Sequence, residues 1–172
     1  IILFWYPKDF TFVCPTEIHA FQSKLSEFEK RNTMVIGASC DTPEVHFAWL
    51  STPKDNGGIE GVTFPLIADS TRHLSETLDI LDTEYVGTEE NYSIEGDNVS
   101  YRATFLIDEE GTIFHESVNV MPLGRNVDEY LRLIDGYAHN QKHGEVCPAN
   151  WEEGKEAMSE SRESVANYLS KH

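Results

Sequence analysis

The sequence predicts an α/β fold with a mixed central sheet flanked by helices. Three observations carry that expectation. Short apolar, β-rich runs alternate with helical segments through the first half of the chain. Two strand-like segments in the second half flank Asp108-Glu109-Glu110-Gly111, a turn whose glycine can take positive φ, and a strongly amphipathic helix follows them. Alternation implies parallel strands and the late hairpin antiparallel ones, so the sheet should be parallel on one side and antiparallel on the other.

Ile1-Ile2-Leu3-Phe4-Trp5-Tyr6, stopped by Pro7, reads as a strand buried on both faces. Pro15 suits a first helical turn, where its missing N–H has no intrahelical partner anyway. Ile18, Phe21, Leu25 and Phe28 then recur at helical spacing to about Lys30. Met34 to Ala38 is the next strand, and Asp41-Thr42-Pro43 caps a helix carrying Val45, Phe47, Ala48 and Trp49. Pro65 to Ala68 gives a third strand and Ser70 to Leu78 a third helix. From Asp82 to Tyr101 the periodicity disappears: Asp82, Glu84, Glu89, Glu90, Glu95 and Asp97 occur with no Lys or Arg, together with Gly87 and Gly96, which reads as an acidic loop or a loose hairpin. Ala103 to Ile107 and Thr112 to Val118 form the late hairpin, Val127 to Ala138 the amphipathic helix, and Ser159 to Leu169 a weak final helix. This is the thioredoxin-like order. Residues 1–138 are expected to form the core, with further N-terminal strands lying upstream of a chain that opens without Met, and 139–172 a C-terminal arm that carries a second cysteine.

A chain of 172 residues is about one domain, and 40% hydrophobic with 25% charged residues is ordinary globular usage. A net charge of -17 argues against a partner held by phosphate neutralisation, so no nucleic acid is expected. The longest uninterrupted apolar run, Ile1 to Tyr6, is too short for a membrane span or a signal-peptide core. Cys14, Cys40 and Cys147 are too few and too scattered for a disulfide scaffold. Reactive thiols in a reducing compartment fit better, and a cytoplasmic location is the expectation.

Cys14 falls where a loop meets the N-terminus of the first helix. Unpaired N–H groups and the positive end of the helix dipole favour an anion there, and the thiolate is the nucleophilic form of cysteine. A free thiol of pKa about 8.5 is only a few per cent ionised at pH 7, so complete ionisation raises a rate by roughly 30-fold at most. Efficient catalysis therefore needs further groups to orient a substrate and stabilise charge on a departing oxygen, and Thr11 and a distant arginine are the candidates. On position alone, a small buried cysteine that happens to precede a helix is an equal reading.

The neighbouring residues shift that balance. Pro7-x-x-x-Thr11-x-x-Cys14-Pro15-Thr16-Glu17 resembles the active-site signature of the peroxiredoxins. The similarity continues through Gly37-Ala38-Ser39-Cys40-Asp41, His46-Phe47-Ala48-Trp49, Arg102 to Asp108, Pro122 to Glu129 and His143 to Pro148, and so covers most of the chain. Within the family the chain looks most like the typical two-cysteine group, of the bacterial alkyl hydroperoxide reductase C subunit type. The resemblance implies that Cys14 attacks a peroxide O–O bond and becomes a sulfenic acid, with Pro7 shielding it and Thr11 and Arg102 gripping the peroxide oxygens. It implies a supporting polar network from Glu17 and Arg125, which otherwise read as a first-turn helix acid and a solvated base.

The same resemblance assigns Cys147, in Glu145-Val146-Cys147-Pro148 followed by Trp151, as the resolving cysteine. In typical members it attacks from the partner subunit, which implies a homodimer, commonly assembled into decamers, and an intersubunit disulfide. Recycling by thioredoxin or by a flavoprotein disulfide reductase follows from the same analogy. Gly57-Gly58-Ile59-Glu60-Gly61 and Tyr168-Leu169 match only partially the segments that make some members sensitive to overoxidation. Cys40, at the end of an apolar strand, reads as inert packing. No cofactor is expected, and His19, His46, His73 and the cysteines lack the spacing of a metal site.

A thioredoxin-type oxidoreductase would need a second thiol within Cys14-Pro15-Thr16-Glu17, and a cysteine hydrolase would need a histidine aimed at Cys14, which His19 in the same helix does not supply. An acidic holdase or scaffold is the alternative from a different class. The acidic segment before Arg102 is longer than the family pattern allows and is where the chain departs from it most.

Overall fold

The first strand lies at the centre of the sheet, and its neighbours on either side run in opposite directions. In the computed structural model, which describes residues 1–88 and 90–172, β1 (Ile2–Trp5) pairs in parallel with β2 (Val35–Ser39), which pairs in parallel with β3 (Leu66–Ala68). On its other side β1 pairs antiparallel with β6 (Arg102–Ile107), which pairs antiparallel with β7 (Ile113–Asn119). The order β3-β2-β1-β6-β7 is the expected mixed, thioredoxin-like sheet. Because β1 and β6 are antiparallel, with Phe4 opposite Thr104, the start of β6 lies at the C-terminal end of β1. That is where the loop toward Cys14 begins.

β1 is buried on both faces, as its unbroken apolar run requires. Trp5 packs with Ala38, Ile80, Ala103 and Phe105, whereas Phe4 stacks on Phe21 with ring centroids 4.1 Å apart. Gly37 lies beside Phe4 in β2, and a Cβ there would come within 2.7 Å of Leu66 Cδ2 and 3.1 Å of Phe4 Cζ, so a side chain at this position requires Leu66 or Phe4 to shift.

The helical run after Pro15 is two helices rather than one: α1 (Cys14–Ser23) and α2 (Leu25–Lys30). Ser23 Oγ donates back to the Ala20 carbonyl and the Lys24 N–H turns to the Phe21 carbonyl, which tightens and ends the first helix. α3 (Pro43–Leu50) starts as expected, with the Thr42 side chain accepting from the Val45 N–H. α4 (His73–Thr77) is shorter than its sequence pattern. The acidic stretch is a hairpin, β4 (Glu84–Thr88) with β5 (Asn91–Glu95), whose strand residues are all exposed. Glu89, one of its acidic residues, lies outside the described residues.

Two compact units are formed, Ile1–Arg125 and Asn126–His172. The second consists of α5 (Val127–His143), a loop closed by a bridge between Val146 and Met158, and α6 (Arg162–Leu169), whose N-terminus is capped by Ser161. A division at 138/139 falls inside α5, which continues through the polar stretch 139–143. Lys142 and His143 suit the negative end of the helix dipole, and Gly144, at φ 67°, supplies the left-handed C-cap. Among the described residues no helix is long and apolar enough to cross a membrane.

Candidate active site

Cys14 is the first residue of α1 and is fully buried. The N-cap residue is Val13, which offers no side-chain oxygen, and Pro15 has no N–H, so this helix start is not capped by a side chain. Glu17, one turn further on, is also buried and accepts hydrogen bonds from two arginines brought from distant parts of the chain. Arg102 Nη1 donates to Glu17 Oε2 at 2.6 Å and to Cys14 Sγ at 3.4 Å. Arg125 donates to Glu17 Oε1 through Nε at 2.9 Å and through its main-chain N–H at 3.0 Å, and to Oε2 through Nη2 at 3.0 Å.

Each guanidinium is itself fixed. Arg102 Nε donates to the Met121 carbonyl at 2.6 Å. Arg125 Nη1 donates to the Trp5 and Ala103 carbonyls, both at 2.8 Å, and the guanidinium carbon lies 5.0 Å from the Phe4 ring centroid. Two guanidinium charges and one carboxylate leave one positive charge, and Arg102 directs a donor at the sulfur. Such a set stabilises a thiolate or an oxygen anion formed next to it, in surroundings dry enough for the charge to act strongly.

The resemblance puts Cys14, Glu17, Arg102 and Arg125 in one site, and the fold brings these four together. Pro7 is buried at the end of β1, and Thr11 lies on the same loop with its hydroxyl donating to the Lys8 carbonyl at 2.8 Å. The sequence reading missed the set of contacts that fixes this loop: Tyr6, Asp9, Asp41 and His46 are linked by hydrogen bonds behind it. In the sequence His46 belongs to one of the segments that carry the resemblance and is set aside as a metal ligand, and its spacing from Asp9 carries no local signal.

Cys147 belongs to the second unit and is half-buried, with Sγ 3.6 Å from the Gly136 carbonyl oxygen. Burial raises its thiol pKa above the ordinary value; the Arg132 charge opposes that and Glu145 adds to it. Cys40 is buried at the end of β2, 3.5 Å from Ser75 Oγ, and burial raises its thiol pKa also. Among the described residues no three His, Cys, Asp or Glu side chains converge as a metal site.

The chain is similar to known proteins over most of its length. Residues 1–116 match the model of the AhpC/TSA family, and residues 137–171, which include Cys147, match the C-terminal domain of 1-Cys peroxiredoxin. Alkyl hydroperoxide reductase C of Helicobacter pylori is 45% identical over 98% of this chain and 78% of its own length. Peroxiredoxin-1 of Gekko japonicus is 42% identical over 100% of this chain and 80% of its own. The crystal structure of reduced Plasmodium vivax 2-Cys peroxiredoxin superimposes with a TM-score of 0.88 at 43% identity, covering 98% of this chain and 81% of that one.

Proposed function

This chain belongs to the AhpC/TSA family and is a thiol-dependent peroxidase, and from that premise we propose that Cys14 is the thiol that meets the peroxide. The observation that carries this reading is the Arg102 guanidinium, shared between Cys14 Sγ and Glu17. The Cys14 thiolate attacks one peroxide oxygen and the O–O bond breaks. The other oxygen leaves as alkoxide or hydroxide and takes up a proton as alcohol or water, and the sulfur becomes a sulfenic acid. Arg102 stabilises the negative charge on both the attacking sulfur and the departing oxygen; Glu17 and Arg125 hold it in place. Thr11 orients the peroxide from the loop, and Pro7 shields the thiol.

The segment 139–172 acts as the arm that brings a second thiol. The partner subunit's Cys147 displaces water from the Cys14 sulfenic acid to give an intersubunit disulfide, and thioredoxin or a flavoprotein disulfide reductase returns two electrons to restore both thiols. Self-assembly has surface to use. β7 is a sheet edge with Ile113 and Val118 exposed, and Phe12 and Phe47, at 95% and 73% exposure, are large apolar groups left in water. A homodimer, assembling further into a decamer, would cover them. Three free thiols accord with a cytoplasmic setting.

The direct test is Cys14→Ser in the full chain with hydrogen peroxide and a thiol reductant. Peroxide consumption falls to background if the assignment holds, and a variant that retains turnover overturns it.

A further inference from the structure

The β4–β5 ribbon has an aromatic face and an acidic face. Tyr85 stands opposite Ile94 and Gly87 opposite Tyr92, so Tyr85, Tyr92 and Ile94 project from the same side. The rings of Tyr85 and Tyr92 meet edge to face with centroids 5.5 Å apart. On the other side of the ribbon Glu84 stands directly opposite Glu95.

The ribbon is anchored at its root and open along its length. Arg72 Nε donates to the Asn98 carbonyl at 2.9 Å, the Asp82 N–H to the Val99 carbonyl at 2.8 Å, and Tyr101 Oη to Asp82 Oδ1 at 2.7 Å. Tyr85 Oη reaches Glu76 Oε1 of α4 at 3.1 Å, yet Tyr85, Tyr92 and Ile94 remain 55%, 57% and 54% exposed. A two-stranded ribbon is by itself marginally stable in water, and large apolar side chains gathered on one exposed face are the usual mark of an interaction surface.

Charge constrains what covers this face. The stretch from Asp82 to Tyr101 carries Glu84, Glu90, Glu95 and Asp97 without a lysine or arginine. Like charges directly opposite across two strands cost stability, and among the described residues neither Glu84 nor Glu95 has an ion-pair partner. A second copy brings the same acidic ribbon and a net charge of -17, while a nucleic acid or an anionic membrane adds like charge as well. A basic protein surface brings the opposite sign. Its apolar side chains can lie on the tyrosine rings, which also attract cations, and long lysine or arginine stems can pass over the open edges of the ribbon to Glu84 and Glu95.

We propose that the aromatic face of the β4–β5 ribbon is a docking surface for a basic segment of a partner protein, which seats apolar side chains on Tyr85, Tyr92 and Ile94 and is held by Glu84 and Glu95. None of these residues belongs to the Cys14 site, so docking is read independently of turnover.

The probe is a short synthetic peptide with lysine and arginine at both ends and leucine and phenylalanine between them, titrated calorimetrically into the full chain. It should bind the wild type with an affinity that falls as salt rises. Tyr85→Ser combined with Tyr92→Ser keeps the charge and should weaken binding about tenfold or more, as should serines in place of the peptide's apolar residues. Glu84→Gln combined with Glu95→Gln keeps the aromatic face and should weaken binding about tenfold. Each variant should consume hydrogen peroxide as the wild type does, and the single changes Tyr92→Ser and Glu95→Gln repeat the comparison should a pair disturb folding. No binding to the wild type, equal binding of the serine peptide, or unchanged affinity in the tyrosine variants, the sign of diffuse attraction to the net charge, overturns the proposal. So does a smaller assembly of the tyrosine variants in sedimentation velocity, which would show that a second copy covers the face.

Discussion

Arg102 Nη1 lies 3.4 Å from Cys14 Sγ although the two residues are 88 positions apart in the chain. The contact uses one arm of a guanidinium whose Nε is committed to the Met121 carbonyl, so the fork geometry, and not charge alone, places the donor. Lysine cannot bridge these partners. Arg102→Lys should slow oxidation by hydrogen peroxide about 100-fold or more, the scale of a lost transition-state donor, as followed by stopped-flow fluorescence. A rate within twofold of the wild type would show that the donor is idle.

Glu17 is the counter-charge for both arginines, with side-chain exposure of 2%. Glu17→Gln leaves two buried cations uncompensated and should cost about 3–5 kcal/mol in urea unfolding, the scale for a broken buried pair. A midpoint close to that of the wild type would mean that solvent already screens the pair.

If Cys147 is the resolving thiol, peroxide converts the reduced protein into a covalent dimer on a non-reducing gel, and Cys147→Ser abolishes that band. Cys40→Ser should still dimerise and turn over, since Cys40 is buried against Ser75. Loss of activity in Cys40→Ser would contradict its reading as packing.

Burial holds the Cys147 thiol above its ordinary pKa, so little of it is thiolate at neutral pH. The disulfide-forming step, followed after a single equivalent of peroxide, should accelerate as pH rises through the alkaline range. A step independent of pH between 7 and 9 would show that another group has taken its proton.

Gly37 faces Phe4 and Leu66 in the centre of the sheet. Gly37→Ala forces Leu66 or Phe4 to move and should destabilise the protein by about 1–3 kcal/mol, the usual range for overpacking, in thermal or urea unfolding. An unchanged stability would mean that Leu66 swings aside freely.

The sequence by itself determined most of the elements and the place of Cys14 at a helix start. The apolar run before Pro7, the Pro15 turn, the Thr42 cap and the Asp108–Gly111 turn are short-range signals, because periodicity, capping and φ preference act within a few residues. Where those signals weaken, the sequence pattern ends short of the element or runs past it. Lys24 breaks a helix that apolar spacing alone continued, and α5 runs to Gly144 through residues that look polar but suit a helix C-terminus. The family pattern named Glu17, Arg102 and Arg125, but their residue types alone read as solvated charges.

Only the tertiary structure decided what those charges do. Antiparallel pairing of β1 with β6 sets Arg102 at the mouth of the Cys14 loop, and the loop after β7 returns Arg125 to Glu17 across 108 residues of sequence. The Asp9–His46 pair, 37 residues apart, had no local signature at all. Ion pairs of this kind form between chain segments whose adjacency is a property of sheet order, and in a buried site the low dielectric makes their exact partners decisive.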